Sequence, residues 1–167
     1  MTRKLLVLAL VIPVFMISTA FRPQQKILAT DPNAQPADER ALQDRLPQSH
    51  DALWSKLIKS KVAYNNRTGM YSISLSPEIR ALANQQVTAT GWVLPLDGSD
   101  HTKHFLLTRR TPVCMFCPPG EPNEVAEVVS PTPIPWTDKL VRVSGVFSLV
   151  NNGEKGIFFK INASAIR

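Results

Sequence analysis

The spacing of apolar residues divides the chain into three parts. Leu5 to Ile17 form a thirteen-residue apolar run. Residues 22–48 are rich in Gln, Pro, Asp and Ala and offer little apolar material for burial. This composition predicts a flexible tether over residues 21–48, in which only 37–45 has the pattern of a short helix. From residue 49 onward apolar positions recur regularly, so residues 49–167 are predicted to form a single domain.

Residues 49–62 are predicted to form a short helix at the start of this domain. Ser49 is suited to the N-cap, and Asp51 in the first turn interacts favourably with the helix dipole. The apolar side chains share one helical face: Leu53, Trp54, Leu57, Ile58 and Val62. Because a helix of this length is stable only when it packs on other elements, this face is expected to contact the rest of the domain.

From Met70 the apolar pattern changes to a period of two, which is typical of β-strands. A first strand is predicted at 70–75, followed by a helical turn that Pro77 opens. Five further strands are predicted at 87–93, 105–108, 125–129, 141–149 and 157–165. Asn152-Gly153 lies between the last two strands and predicts a tight hairpin turn.

Five short strands with one apolar face predict a mainly-β domain, built as a small five-stranded OB-like barrel with a short N-terminal helix. The alternative is a β-sandwich. An OB barrel usually has a helix between its third and fourth strands. Here that stretch is Pro131-Thr-Pro-Ile-Pro-Trp136, in which the prolines exclude a helix. The 49–62 helix is therefore expected to cover an open end of the barrel instead.

The N-terminal segment has the pattern of a secretory signal peptide. Arg3 and Lys4 precede the apolar run, and Ser18-Thr19-Ala20 place small residues where a signal peptidase reads. The run is shorter than the stretch of about 20 residues that spans a bilayer. Residues 1–20 are therefore predicted to be removed, with an uncleaved anchor as the alternative. The mature protein is predicted to be periplasmic or secreted, without a membrane span, in a compartment where thiols oxidise.

Charge and short sequence patterns narrow the function classes. The net charge of +6 comes from 19 basic and 13 acidic residues, and the basic residues do not cluster. Nucleic-acid binding is therefore not expected. The chain also lacks Gly-x-Ser-x-Gly, His-Glu-x-x-His and phosphate-binding glycine patterns. These observations favour a protein that is not an enzyme.

Both cysteines lie in one segment, which is the candidate functional site. Cys114-Met115-Phe116-Cys117 is followed by three prolines within five residues. Because each proline fixes φ near roughly −65°, this loop is predicted to be stiff. The 109–124 loop is predicted to bind a ligand or partner through these residues: Cys114, Phe116, Cys117, Pro118, Pro119, Asn123 and Glu124.

Four interpretations of the cysteine pair stay open. The pair forms a short structural disulfide, supplies two thiolate ligands to zinc, exchanges disulfides as thioredoxin does, or is incidental to a binding loop. Cys114 and Cys117 are the candidate zinc ligands, but His101 and His104 enter the opposite end of the 105–108 strand. A complete site of two histidines and two cysteines therefore requires the chain to fold back.

Residues 70–150 resemble a bacterial secreted family that is classified only as a domain of unknown function, number 3299 of that series. The residues that carry the resemblance are Ser76-Pro77-Glu78-Ile79, Gly91-Trp92-Val93-Leu94-Pro95-Leu96, Phe105-Leu106-Leu107, Cys114, the run 118–124, Val141 and Gly145. The resemblance implies a periplasmic protein, sometimes associated with ABC transporters of zinc or other metals, and no established enzymatic activity. The family often has histidine two residues after the first cysteine, where this chain has Phe116, which weakens the case for an inherited metal site.

The leading hypothesis is a periplasmic, non-enzymatic protein that binds a ligand or partner through the 109–124 loop. Its expected partner is an ABC transporter or another envelope protein, and zinc is its candidate cofactor. The alternative, from a different class, is a thiol–disulfide exchange factor that uses Cys114 and Cys117.

Overall fold

A computed structural model describes residues 35–113 and 119–167. They form the helices α1 (Ala37–Gln43), α2 (Ala52–Leu57) and α3 (Pro77–Arg80), and a 3-10 helix at Pro122–Glu124. The strands are β1 (Lys61–Asn65), β2 (Met70–Ser74), β3 (Gln86–Pro95), β4 (His101–Thr108), β5 (Val125–Pro135), β6 (Val141–Asn152) and β7 (Ile157–Ile166). None of the helices in these ranges is long and apolar enough to cross a membrane. The predicted signal peptide, residues 1–20, lies outside the described residues.

Five strands close into a barrel in the order β3-β4-β5-β7-β6. Neighbouring strands are antiparallel except β5 and β7, which run parallel where Glu127–Val129 face Lys160–Asn162. The last strand thus lies between the third and fourth strands of the barrel, which is the Greek-key arrangement of an OB fold. The prediction of a mainly-β, five-stranded OB-like barrel is confirmed, and the chain does not form the alternative β-sandwich.

The core lies inside the barrel because alternate residues of each strand point inward. The buried side chains that share this core come from all five strands: Val87, Ala89, Val93, Phe105, Leu107, Ala126, Val128, Val141, Val143, Phe147, Phe159 and Ile161. Phe147 and Phe159 stack with ring centroids 5.8 Å apart. Leu53, Trp54 and Leu57 of α2 belong to the same core. The helix face predicted from the sequence therefore packs on the barrel.

Helix α2 is shorter than the predicted 49–62 helix. Asp51 is its N-cap in place of Ser49, since the Asp51 carboxylate accepts the N–H groups of Leu53 and Trp54 at 3.1 Å. From Lys61 the chain forms β1, which pairs with β2 in a separate antiparallel hairpin. Val62 thus belongs to a strand. The prediction was wrong here because Val62 falls on the apolar helical face by spacing alone.

Helix α2 also completes the hydrogen bonding of β3. Strand β3 pairs with β6 over Gln86–Gly91 but pairs with β4 only from Trp92 onward. The backbone N–H and carbonyl groups of Thr90 have no partner on β4 and form hydrogen bonds with the helix instead. The indole Nε1–H of Trp54 donates to the Thr90 carbonyl oxygen at 2.7 Å, and the Asp51 carboxylate accepts the Thr90 N–H. The helix therefore supplies the partners that β4 does not.

The last hairpin turns later than the sequence predicts. The chain reverses over residues 153–156, and the positive φ of +64° occurs at Gly156. The predicted hairpin between these strands is present, but its turn comprises residues 153–156 rather than Asn152-Gly153. Gly153 has another role, because its carbonyl oxygen accepts the N–H of Tyr71 at 2.8 Å. A Cβ at Gly153 would lie 2.5 Å from the Tyr71 carbonyl oxygen, so only glycine permits this approach of β2.

Strand β5 contains prolines at every second position: Pro131, Pro133 and Pro135. The N–H of Trp136 donates to the Asp100 carbonyl oxygen at 2.8 Å, on the β4 side. Because backbone N–H groups alternate between the two edges of a strand, the neighbouring nitrogen, that of Pro135, faces the other edge. That edge does not pair with β7 beyond Val129. Proline is therefore compatible with a strand here, as it is at sheet edges generally.

Replacing Gly145 by alanine is expected to lower the free energy of unfolding by about 1–3 kcal/mol, as overpacking typically does. Gly145 lies at a register shift between β6 and β7. A Cβ there would lie 2.2 Å from the Asn162 carbonyl oxygen and 2.7 Å from the Ala163 Cα, so backbone must move. Urea denaturation measures the change. Val146→Ala, at a neighbouring exposed position, is the control, and an equally small effect at both positions would contradict the prediction.

Candidate binding site

Three of the seven predicted binding residues lie in the described part of the chain: Pro119, Asn123 and Glu124. Cys114, Phe116, Cys117 and Pro118 lie outside it, so their roles in ligand binding, zinc binding or disulfide formation stay predictions. The three described residues make contacts within the protein. These contacts fix the two described ends of the 109–124 loop against the rest of the protein.

Glu124 is buried among three arginines. Its Oε1 lies 2.8 Å from Arg109 Nη1 and 2.6 Å from Arg110 Nε, and its Oε2 lies 3.1 Å from Arg40 Nη1. The backbone N–H of Glu121 also donates to Oε2 at 3.1 Å. One carboxylate therefore links α1, the start of the loop and the end of the loop. Charge-assisted hydrogen bonds of this kind are about twice as strong as neutral ones.

The arginines keep Glu124 ionised. Burial by itself would raise the pKa of the Glu124 carboxyl group. Hydrogen bonds from Arg110 and from the Glu121 backbone, with the charges of Arg110 and Arg40, outweigh burial and hold this pKa below its ordinary value. Burial would lower the pKa of Arg110, but Glu124 and Asp44 raise it. Both shifts favour the charged pair.

Stability is expected to fall at acidic pH because of Glu124. Its pKa is lower in the folded than in the unfolded protein, so its ionised form favours folding. This contribution is fully present above the unfolded pKa of about 4.3 and is lost as the pH falls through the folded-state pKa. Urea midpoints of the wild type and of Glu124→Gln should therefore differ by a constant amount from pH 7 down to about pH 5 and converge as the pH falls below about 4. A difference that stays constant down to about pH 3 would contradict the assignment.

Helix α1 also fixes the two ends of the loop. Its contacts involve Gln43, which no sequence pattern identified as a site residue. The Gln43 side chain is buried, and its Nε2 donates to the carbonyl oxygens of Thr111 at 3.0 Å and Pro119 at 3.2 Å. Gln43 thus bridges the two described ends of the loop. These partners are 68 and 76 residues away in sequence, so no local pattern points to them.

The stretch predicted as a tether differs from that prediction in residues 37–48. Residues Ala37–Gln43 form α1, close to the helix predicted at 37–45. The Thr111 hydroxyl donates to the Pro47 carbonyl oxygen at 2.8 Å, and Arg110 pairs with Asp44. Polar contacts hold this stretch on the barrel, which explains why a composition poor in apolar residues did not reveal it. Residues 21–34 lie outside the described part of the chain.

Asn123 anchors the 3-10 helix to the end of α2. Its Nδ2 donates to the carbonyl oxygens of Ile58 at 3.2 Å and Ser60 at 2.9 Å. Carbonyl groups at a helix C-terminus lack intrahelical partners, and a side-chain amide can satisfy them. Asn123 therefore ties the loop to the helix that packs on the barrel core.

A pocket of about 180 Å³ opens beside the start of the loop. Its lining comes from β3, the segment 111–113 and the segment after β5: Trp92, Val93, Leu94, Thr111, Pro112, Val113, Trp136, Thr137 and Asp138. We call it the tryptophan pocket. Trp92 is buried, whereas Trp136 is 50% exposed. No local pattern in the sequence indicates that Trp136 would lie near Trp92.

The two histidines considered as zinc ligands lie on or at the start of β4. His104 Nε2 is 2.5 Å from Glu127 Oε1 on β5, and Lys160 Nζ lies 3.9 Å from the other oxygen of Glu127. Within residues 35–113 and 119–167, no three or more His, Cys, Asp or Glu side chains are grouped so that they could hold a metal ion.

The fold and the pocket define an OB-like barrel protein with a loop held at both ends beside a small pocket. The chain belongs to the family described as a protein of unknown function (DUF3299), whose model matches residues 22–157. It is similar to a DUF3299 family protein from Pseudomonas aeruginosa PAO1, known from a crystal structure. The two share 20% sequence identity over 73% of this chain and 81% of that one, with a TM-score of 0.48. No curated protein matches the chain.

Proposed function

We propose that the protein is a non-enzymatic binding protein that holds a ligand or partner at its 109–124 loop. The observation that supports the proposal is the bracing of both loop ends, by Gln43 across Thr111 and Pro119 and by Glu124 across the arginines. A binding loop fixed in advance loses less conformational entropy when its ligand binds. The barrel and α1 provide that rigid support.

The location and the partner belong to the same proposal. The signal-peptide pattern of residues 1–20 supports a site of action in the periplasm or outside the cell. The resemblance seen in the sequence supports an accessory role to an ABC transporter of zinc or another metal. In this role Cys114 and Cys117 supply thiolate ligands when reduced.

Zinc binding tests the role of the cysteines. The protein, isolated and fully reduced, is titrated with Zn²⁺ in a calorimeter. Stoichiometric uptake that is lost in Cys114→Ser supports metal binding at the loop. No uptake together with a reduction potential well above about −200 mV would support the thiol–disulfide exchange factor instead. If a variant with both cysteines replaced by serine keeps all cellular activity, neither role of the pair stands.

Replacing Gln43 by alanine is expected to weaken Zn²⁺ binding severalfold, because the two ends of the loop would lose part of their pre-organisation. The substitution removes the bridge between Thr111 and Pro119. Leu42→Ala changes the adjacent, exposed position of the same helix and serves as the matched control. Equal Zn²⁺ affinities of both variants and the wild type would show that the bridge does not position the loop for metal.

A further inference from the structure

The size of the tryptophan pocket restricts its ligand to one small group. An apolar cavity of about 150 Å³ is known to accept benzene, and this pocket has about 180 Å³. Pockets for drug-sized ligands measure about 300–1,000 Å³. The pocket therefore fits a group of roughly six or seven heavy atoms, rather than a nucleotide or a large cofactor.

The residues that line the pocket favour a cation that carries alkyl groups. Trp92 and Trp136 provide indole rings, whose faces attract cations more strongly than those of other aromatic side chains. Asp138 is the one acidic side chain among the described lining residues, and none of those residues is Lys, Arg or His. Leu94, Pro112 and Val113 are apolar residues of the same lining. A hydrated metal ion gains nothing from such a lining, whereas an alkylated ammonium ion does.

The exposure of Trp136 supports a ligand that lies near the surface. Half of this large side chain is in contact with solvent, although its backbone is fixed by the hydrogen bond to Asp100. Trp92, which lies on β3, is buried. The pocket is thus lined by one buried and one half-exposed tryptophan and by the exposed Asp138, which suits a ligand with a cationic group and a polar tail in water.

We propose that the tryptophan pocket binds a small quaternary ammonium ion of the size of choline. Its methyl groups contact the apolar walls, and its charge is stabilised by the indole rings and the Asp138 carboxylate. This inference deepens the proposed function and rests on it, because Thr111, Pro112 and Val113 belong to the 109–124 loop. The recognised class is a free alkylammonium compound, and the same group in a lipid headgroup is an outcome of the test.

The test uses choline as the probe and 3,3-dimethylbutan-1-ol, its uncharged isostere, as the matched ligand control. Both are titrated into the full-length protein while the tryptophan fluorescence is followed, and calorimetry repeats the measurement. Choline is expected to bind about tenfold more tightly than the alcohol, because only choline has the charge. Equal affinities, or no binding of either compound, would overturn the proposal.

Two pocket variants and one control variant locate the interaction. Asp138→Asn keeps the shape and removes the charge, and we expect it to weaken choline binding about tenfold without changing the affinity for the alcohol. Trp136→Leu should weaken choline binding by a similar factor. Glu154→Gln removes an acid from the β6–β7 turn, outside the pocket lining, and should bind as the wild type does. If the Glu154 variant loses as much affinity as Asp138→Asn, net charge explains the binding and the proposal fails.

The outcomes separate this inference from the proposed function. Binding to phosphatidylcholine vesicles without binding of free choline would assign the pocket to a lipid headgroup and overturn the choice of a free ion. A protein that takes up Zn²⁺ through its cysteines but ignores choline retains the proposed function and loses this inference. A protein that binds choline as expected, while the double cysteine variant keeps all cellular activity, retains the pocket and loses the roles of the cysteines.

Discussion

Glu124→Gln is expected to lower the free energy of unfolding at pH 7 by about 3–5 kcal/mol, the usual cost of removing one partner from a buried ion pair. Glutamine has nearly the same shape but no charge. Arg109 and Arg110, both largely buried, would then lie close together without the anion between them. The loss comes mainly from these uncompensated charges, and it should be seen as a lower urea midpoint in circular dichroism.

The matched control for Glu124→Gln is Asp44→Asn. Asp44 pairs with the same Arg110, but its side chain is 53% exposed. Exposed pairs contribute at most about 1 kcal/mol because water screens them. If Asp44→Asn lowered the free energy of unfolding as much as Glu124→Gln does, burial would not be the reason for the large effect at Glu124. This result would also remove the basis for the acid sensitivity assigned to Glu124.

Trp54→Ala is expected to destabilise the protein by about 3–5 kcal/mol, as large-to-small substitutions of buried aromatic residues do. The Trp54 side chain is fully buried between α2 and the barrel. The substitution leaves a cavity and also removes the hydrogen bond to the Thr90 carbonyl oxygen. Thermal and urea denaturation measure the loss.

Two further variants separate the causes of the Trp54 effect. Trp54→Phe retains most of the buried ring and loses the donor to Thr90, so we expect a loss of about 1–3 kcal/mol from the unsatisfied carbonyl group and the smaller ring. Trp136→Ala removes the half-exposed tryptophan and should have a much smaller effect on unfolding. Similar losses from Trp54→Ala and Trp136→Ala would contradict the view that α2 packs on the barrel core through Trp54.

The barrel could be predicted from the sequence because its signals are local. In β6 and β7, inward and outward residues alternate, and that alternation is visible over many consecutive positions. Strand β1 was missed because Val62 extends the apolar spacing of the preceding helix. The turn after Asn152 was misplaced because Gly153 is required for close approach to Tyr71 and not for the turn itself.

The site could be predicted only in part because its contacts join distant residues. The proline-rich composition drew attention to the 109–124 loop, and its predicted stiffness stays a prediction. It could not reveal that Glu124 and Asn123 turn inward, because their partners Arg40 and Ser60 are 84 and 63 residues away. The same holds for the tryptophan pocket, which brings together three separate segments.

The prolines of β5 also restrict how another protein can associate with the barrel. A partner that joins by strand addition must receive N–H donors from the exposed edge of the receiving strand. Along residues 131–135 three of the five backbone nitrogens belong to proline and have no hydrogen to donate. This loss of donors disfavours strand addition along residues 131–135, both by a partner and by the sheet of a second copy of the barrel.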